Sequence, residues 1–196
     1  MPIPWKRVLL AVLATTTLLV TNLTGASPAS AKAQGLDGTW SCTVPTGYVY
    51  DEIGRDVQCG GTFSFPYPTY HLRTPADGVT SCVTAPGFVF DRRFFTNECS
   101  SYYPARYPTT TYRLRTPVDG LTSCATVSGW TYDLLTYTLD CQFNPNVPTS
   151  TYRVRTPANG LWACTVPTGW TYTQTDTNLD CSINQGSYST KYRLTH

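Results

Sequence analysis

Beyond residue 35, apolar and polar positions alternate with a period of two in short runs broken by turns. Thr151-Tyr152-Arg153-Val154-Arg155 sends Tyr and Val to one face and both Arg to the other, the pattern of a half-buried strand. Trp130 and Tyr132, two apart, share a face in the same way. No stretch of this region holds an apolar period of 3.6 over ten residues, so the expected class is all-β. Between the runs stands Thr-Pro-x-Asp-Gly, in which Pro fixes its own φ and Gly is free to take a positive one.

Shifting the chain against itself by about forty residues superposes four copies, the mark of a repeat architecture. They run 36–75, 76–117, 118–157 and 158–196, after a short lead at 32–35. Each opens on Asp37-Gly38, Asp77-Gly78, Asp119-Gly120 or Asn159-Gly160. A Gly-aromatic-x-aromatic unit follows the first Cys, at Gly47 to Tyr50, Gly87 to Phe90, Gly129 to Tyr132 and Gly169 to Tyr172. Each copy closes on a Tyr-led strand that starts at Tyr70, Tyr112, Tyr152 or Tyr192. About three short strands per copy are predicted: around the first Cys, from the aromatic pair to the second Cys, and through the Tyr-led segment. The sequence leaves open whether they close into a ring, barrel or prism or form a row of beads. Copies one and four share Cys-Thr-Val-Pro-Thr-Gly, at 42–47 and 164–169, and place Trp40 and Trp162 two residues before the first Cys. That likeness favours terminal copies that meet in space over a pair of caps.

The eight Cys fall at Cys42, Cys59, Cys82, Cys99, Cys124, Cys141, Cys164 and Cys181. Sixteen residues lie between the two Cys of every copy, whereas 22, 24 and 22 separate one copy's second Cys from the next copy's first. A closed loop constrains its own length, so four disulfides within copies are expected. The competing pattern staggers them, joining Cys59 to Cys82 and leaving Cys42 and Cys181 to close a ring. Zinc is not expected, because no C-x-x-C knuckle and only two His accompany these Cys.

Residues 1–31 read as a secretory signal peptide. Lys6 and Arg7 precede an apolar run from Val8 to Val20, and small residues around Ala29, Ala31 and Ala33 offer cleavage sites. The run is about thirteen residues, short of the roughly 20 that a spanning helix wants. The expectation is a secreted protein, oxidised and free of the membrane once cleaved.

Loss of Lys6 and Arg7 reduces the fourteen cations to twelve, which match the twelve acids. A neutral chain gives nucleic acid little electrostatic purchase as a partner. Only 13% of residues are charged, near half the roughly 25% of ordinary soluble domains, while Tyr, Thr and Pro abound.

Catalytic chemistry finds few actors. His71 aligns with Arg113, Arg153 and Arg193, His196 is the last residue, and every Cys is accounted for by a pair. No enzyme, cofactor or metal is expected. The candidate ligand positions are Tyr48, Phe88, Trp130 and Trp170, equivalent rings whose faces could stack on sugars. Arg113, Arg115, Arg153 and Arg155 could bind carboxylate, sulfate or phosphate groups bidentately, or pair with the Asp of the next turn and the residue before the second Cys. The leading expectation is therefore a multivalent, lectin-like binder of cell-wall or environmental polysaccharide. The alternative is a protein-interaction module, either an inhibitor of a secreted hydrolase or an adaptor in an extracellular toxin or surface assembly. It would use unlike loops carrying Arg55 in copy one and Arg92, Arg93 and Phe94 in copy two.

Overall fold

The computed structural model describes residues 35–101, 107–144, 146–184 and 186–196. The signal peptide expected at 1–31 lies outside them. The described chain forms four three-stranded antiparallel sheets, one per copy, as expected.

Copy one holds β1 (Trp40–Ser41), β2 (Val49–Asp56) and β3 (Tyr67–Arg73). Copy two holds β4 (Thr80–Ser81), β5 (Val89–Thr96) and β6 (Thr109–Arg115). Copy three holds β7 (Thr122–Ser123), β8 (Thr131–Thr138) and β9 (Thr149–Arg155), and copy four β10 (Trp162–Ala163), β11 (Thr171–Asn178) and β12 (Ser189–Thr195). In each sheet the Tyr-led strand is central, flanked by the two-residue strand and by its hairpin partner. That placement explains its alternation. Leu72, Leu114, Val154 and Leu194 are the deepest aliphatics of the four sheets, and each stands two residues after a Tyr on the same face. Those Tyr meet the second ring of the aromatic unit nearly edge-on, as Tyr50 with Tyr70 at 4.9 Å, Phe90 with Tyr112 at 4.8 Å and Tyr132 with Tyr152 at 4.9 Å between centroids.

Every disulfide lies within its copy, Cys42–Cys59, Cys82–Cys99, Cys124–Cys141 and Cys164–Cys181, and the staggered pattern is excluded. Each closes a short loop and contributes roughly 3 kcal/mol in the chain-entropy account. Four such staples compensate for a thin core in which Ser81, Ser123, Thr111 and Thr151 are fully buried beside the aliphatics. Their hydroxyls are satisfied: Ser81 Oγ donates to the Val83 carbonyl at 2.7 Å, Ser123 Oγ to the Phe90 carbonyl of copy two at 3.2 Å, and Thr111 and Thr151 meet Thr96 and Thr136 at 2.7 Å.

The opening turn of each copy folds back on that copy's own last strand. Gly38, at φ 74°, donates its N–H to the Leu72 carbonyl at 2.8 Å, while Asp37 accepts from the Thr74 N–H at 2.6 Å. Asp77, Asp119 and Asn159 accept from Thr116, Thr156 and His196 in the same way. Asp or Asn therefore closes each copy on itself.

The copies are joined in an open row, which corrects the expectation that the terminal copies meet. The Cys82 N–H donates to the Tyr50 carbonyl and the Ile53 N–H to the Glu98 carbonyl, both at 2.7 Å, fastening copy two to copy one. Cys124 to Phe90 and Arg93 to Asp140 repeat the pair between copies two and three, as Cys164 to Tyr132 and Leu135 to Asp180 do between three and four. The free edges of β2, β5 and β8 are thus covered by the disulfide segment of the following copy, which removes three exposed strand edges. Among the described residues no such bond links copy four to copy one.

Candidate functional site

Tyr48, Phe88, Trp130 and Trp170 all end the same four-residue turn. Their N–H groups donate to Pro45, Ala85, Val127 and Pro167 at 3.0–3.1 Å. The third residue is a positive-φ glycine in every case, Gly47 at 89°, Gly87 at 79°, Gly129 at 78° and Gly169 at 86°. The strand begins one residue later, so the first ring stands outside the sheet and does not share a strand face with the second. All four first rings are half-buried. Phe88 packs against Val49, Ala85 and Leu114 and lines an open depression of about 480 Å³, with Pro86, Val89 and Thr126, where copy two meets copy three. Trp170 meets His196 edge-on at 5.2 Å, and the Tyr48 hydroxyl accepts from the Leu36 N–H at 3.2 Å. These turns lie at the same ends of the sheets as the Asp-Gly or Asn-Gly turns, so the four rings follow one margin of the row, with carboxylates and guanidiniums close by in the first three copies.

Arg113 and Arg115 converge on Asp91, and Arg153 and Arg155 on Asp133, all at 2.6–2.8 Å. His71 at 2.6 Å and Arg73 at 2.9 Å do the same with Asp51. Each of these Asp sits at a bulge, the one residue of the hairpin strand that the register skips. The second partners of Arg115 and Arg155 are Asp77 and Asp119, from the opening turn of the same copy and not of the next. Burial pushes the Asp91 carboxyl up, but the hydrogen bonds from Arg113 and Arg115 outweigh it and hold it below the usual carboxylate range. Each Arg of the set is therefore paired with a carboxylate of its own copy.

The bulge Asp escaped the reading of the sequence, although it directly follows the aromatic unit in the first three copies. In copy four Thr173 takes its place, Thr195 replaces the second Arg and Asn159 replaces the turn Asp. Of this cluster copy four keeps only Arg193, which donates to the Gln174 side-chain carbonyl at 3.2 Å.

The segments expected to be unlike loops are strands. Arg55 lies in β2, and Arg92, Arg93 and Phe94 lie in β5. Arg55 donates to the Pro66 carbonyl at 3.0 Å and to the Ser101 carbonyl of copy two. Arg92 pairs with Asp140 of copy three at 3.1 Å, and its guanidinium lies 5.8 Å from the Phe94 ring. Arg93, only 8% exposed, places its guanidinium 3.6 Å from the Phe143 ring centroid and also faces Phe90 and Tyr112. Arg55, Arg92 and Arg93 each reach across to the neighbouring copy, so these strands differ where copies are joined.

What the sequence did not single out is the opposite margin, where the hairpin tips expose Phe63, Phe65 and Tyr67 in copy one, Tyr107 in copy two, Phe143 in copy three and Tyr188 in copy four. Phe63 is 97% exposed and Phe65 80%. These rings fall at unequal places in the copies, so the repeat pattern carries no sign of them. Among the described residues no helix is long and apolar enough to cross a membrane. Four disulfides in a small all-β chain accord with an oxidising compartment. Comparison with protein-family models, with curated proteins and with solved structures finds no match to this chain.

Proposed function

We propose that this is a secreted, non-enzymatic protein that binds a repetitive polysaccharide through several equivalent sites. The observation that carries the reading is the recurrence of Tyr48, Phe88, Trp130 and Trp170 on one turn geometry along one margin of an open row. A half-exposed ring stacks on the apolar face of a sugar, while neighbouring Asp, Asn and Arg groups can bond its hydroxyls. A linear polymer meets the rings in succession, and weak single contacts add as avidity. His71, the histidine that a Ser-His-Asp site would use, is engaged with Asp51 as the counterpart of an Arg in the other copies.

A second reading, contact with a secreted protein, is favoured by the apolar hairpin tip of copy one, where Phe63 and Phe65 stand almost bare. One pull-down separates the two: the oxidised protein is mixed with insoluble chitin, cellulose or peptidoglycan in the presence of the producing cell's secreted proteins. The polysaccharide reading expects pelleting that soluble oligosaccharide reverses and that Trp130→Ala with Trp170→Ala weakens at least tenfold. Retention of a secreted protein without any pelleting, abolished by Phe63→Ser with Phe65→Ser, overturns it in favour of the second.

A further inference from the structure

Three interfaces built alike leave two ends that match each other. On copy one, the Cys42 N–H and the Gln58 carbonyl occupy the places that are bonded at Cys82 and Glu98, Cys124 and Asp140, and Cys164 and Asp180. On copy four, the Tyr172 carbonyl and the Thr175 N–H occupy the places of Tyr132 and Leu135. Among the described residues no backbone hydrogen bond between copies engages any of these four groups. Cys42 is exposed where Cys164 is buried, and β11 is exposed along nearly its whole length.

The side chains match as well. Copy three enters copy four through Thr131, whose hydroxyl meets the Thr165 carbonyl at 2.8 Å and the Thr165 hydroxyl at 2.9 Å. Thr165 belongs to Cys-Thr-Val-Pro-Thr-Gly, a sequence that recurs only at 42–47 of copy one. Gly-Trp-Thr-Tyr, which carries Thr131 and Tyr132, recurs only in copy four, around Thr171 and Tyr172. The socket that receives copy three is therefore duplicated at the head of the chain, and the strand that fills it is duplicated at the tail.

We propose that molecules of this protein associate head to tail, with β11 of one chain docked on the Cys42–Cys59 segment of the next in the register of the interface between copies three and four. The likeness of the terminal copies then reflects a meeting between chains, not within one. Such a heterologous contact either closes a ring or grows a filament, according to the rotation per chain. The terminal interface is less apolar than the one between copies three and four, because Thr175 stands for Leu135. It buries less apolar surface, so the association is reversible and depends on concentration. The inference rests on the stacking geometry and stands whatever ligand the rings bind.

Sedimentation velocity on the full chain, as the cell processes it and with its disulfides intact, tests this between about 1 μM and about 1 mM, the range of weak specific contacts. Thr175→Pro blocks the tail by removing an N–H that points away from β12, a place where an edge strand tolerates proline. Thr43→Lys blocks the head from an exposed position. The wild type should grow beyond one chain as concentration rises, and each variant alone should remain one chain. An equimolar mixture of the two should give a one-to-one dimer and nothing larger, since a single open head meets a single open tail. If Thr175→Pro loses the circular-dichroism spectrum of the wild type, Thr171→Lys blocks the same end from an exposed site. A wild type that stays one chain throughout overturns the proposal. So do variants that assemble like the wild type, or a mixture that fails to pair.

Discussion

The guanidinium of Arg113 clasps both carboxylate oxygens of Asp91, at 2.7 and 2.8 Å, across a bulge that the alternating pattern does not announce. Arg115 adds a third bond to the same carboxylate at 2.6 Å. The Asp91 side chain is only 10% exposed, so the pair is fixed and largely desolvated.

Replacing that carboxylate leaves two cations without their acceptor. Asp91→Asn should cost about 1–3 kcal/mol at neutral pH, read as a lower midpoint in chemical denaturation. The sign with pH follows from the lowered folded value. The stabilisation is present above the unfolded carboxylate value of 3.8 and is lost as pH falls through the lower folded one. Asp119, held down mainly by the Thr156 N–H, loses its contribution in the same direction. The wild type should lose stability below about pH 4, and Asp91→Asn should show a shallower loss. Equal slopes would remove Asp91 from the account.

Arg93 offers a contrast. Its Nε and Nη1 are buried without a hydrogen-bond partner, and burial lowers its pKa. The equivalent residues of copies one and three are Ile53 and Leu135, both aliphatic. Arg93→Leu should therefore be neutral or stabilising, because the desolvation of a cation disappears with it. A loss above about 1 kcal/mol in thermal unfolding would show that the stacking on Phe143 outweighs that penalty.

The disulfides should differ by position. Removing Cys42–Cys59 with serines loosens a copy that, among the described residues, is hydrogen-bonded through its backbone to copy two alone, and limited proteolysis should trim copy one while copies two to four persist. Removing Cys124–Cys141 strikes a copy with neighbours on both sides, and the whole transition should fall by roughly 2–4 kcal/mol.

Gly54 makes room for Trp40. A Cβ there would stand 2.8 Å from both Trp40 Cζ3 and Thr69 Oγ1. Gly54→Ala should displace the indole, shift the tryptophan emission to the red and cost about 1–3 kcal/mol. The double variant with Trp40→Ala should recover part of that cost, the mark of a direct coupling.

Much of the architecture was legible in the residues because it is local. The sixteen-residue interval between paired Cys and the Tyr-led strand each lie within about forty positions. Disulfide pairing and the three strands per copy therefore followed from spacing and alternation. The ring positions Tyr48, Phe88, Trp130 and Trp170 were legible for the same reason.

The joining of copies was decided only by tertiary structure. Its bonds run between backbone groups, such as the Cys124 N–H and the Phe90 carbonyl, which every residue type carries and no sequence pattern marks. The residues packed around those bonds differ between copies, so Arg55, Arg92, Arg93 and Phe94 look like idiosyncratic loops until the neighbouring copy is in place. The bulge, too, is a property of paired strands, and it explains why Asp51, Asp91 and Asp133 each reach two side chains of the central strand. The sequence thus determined the unit and its staple, through contacts short in chain distance. The open row, its two complementary ends and the partners of the arginines needed the stacked copies, because contacts between units depend on how whole sheets meet.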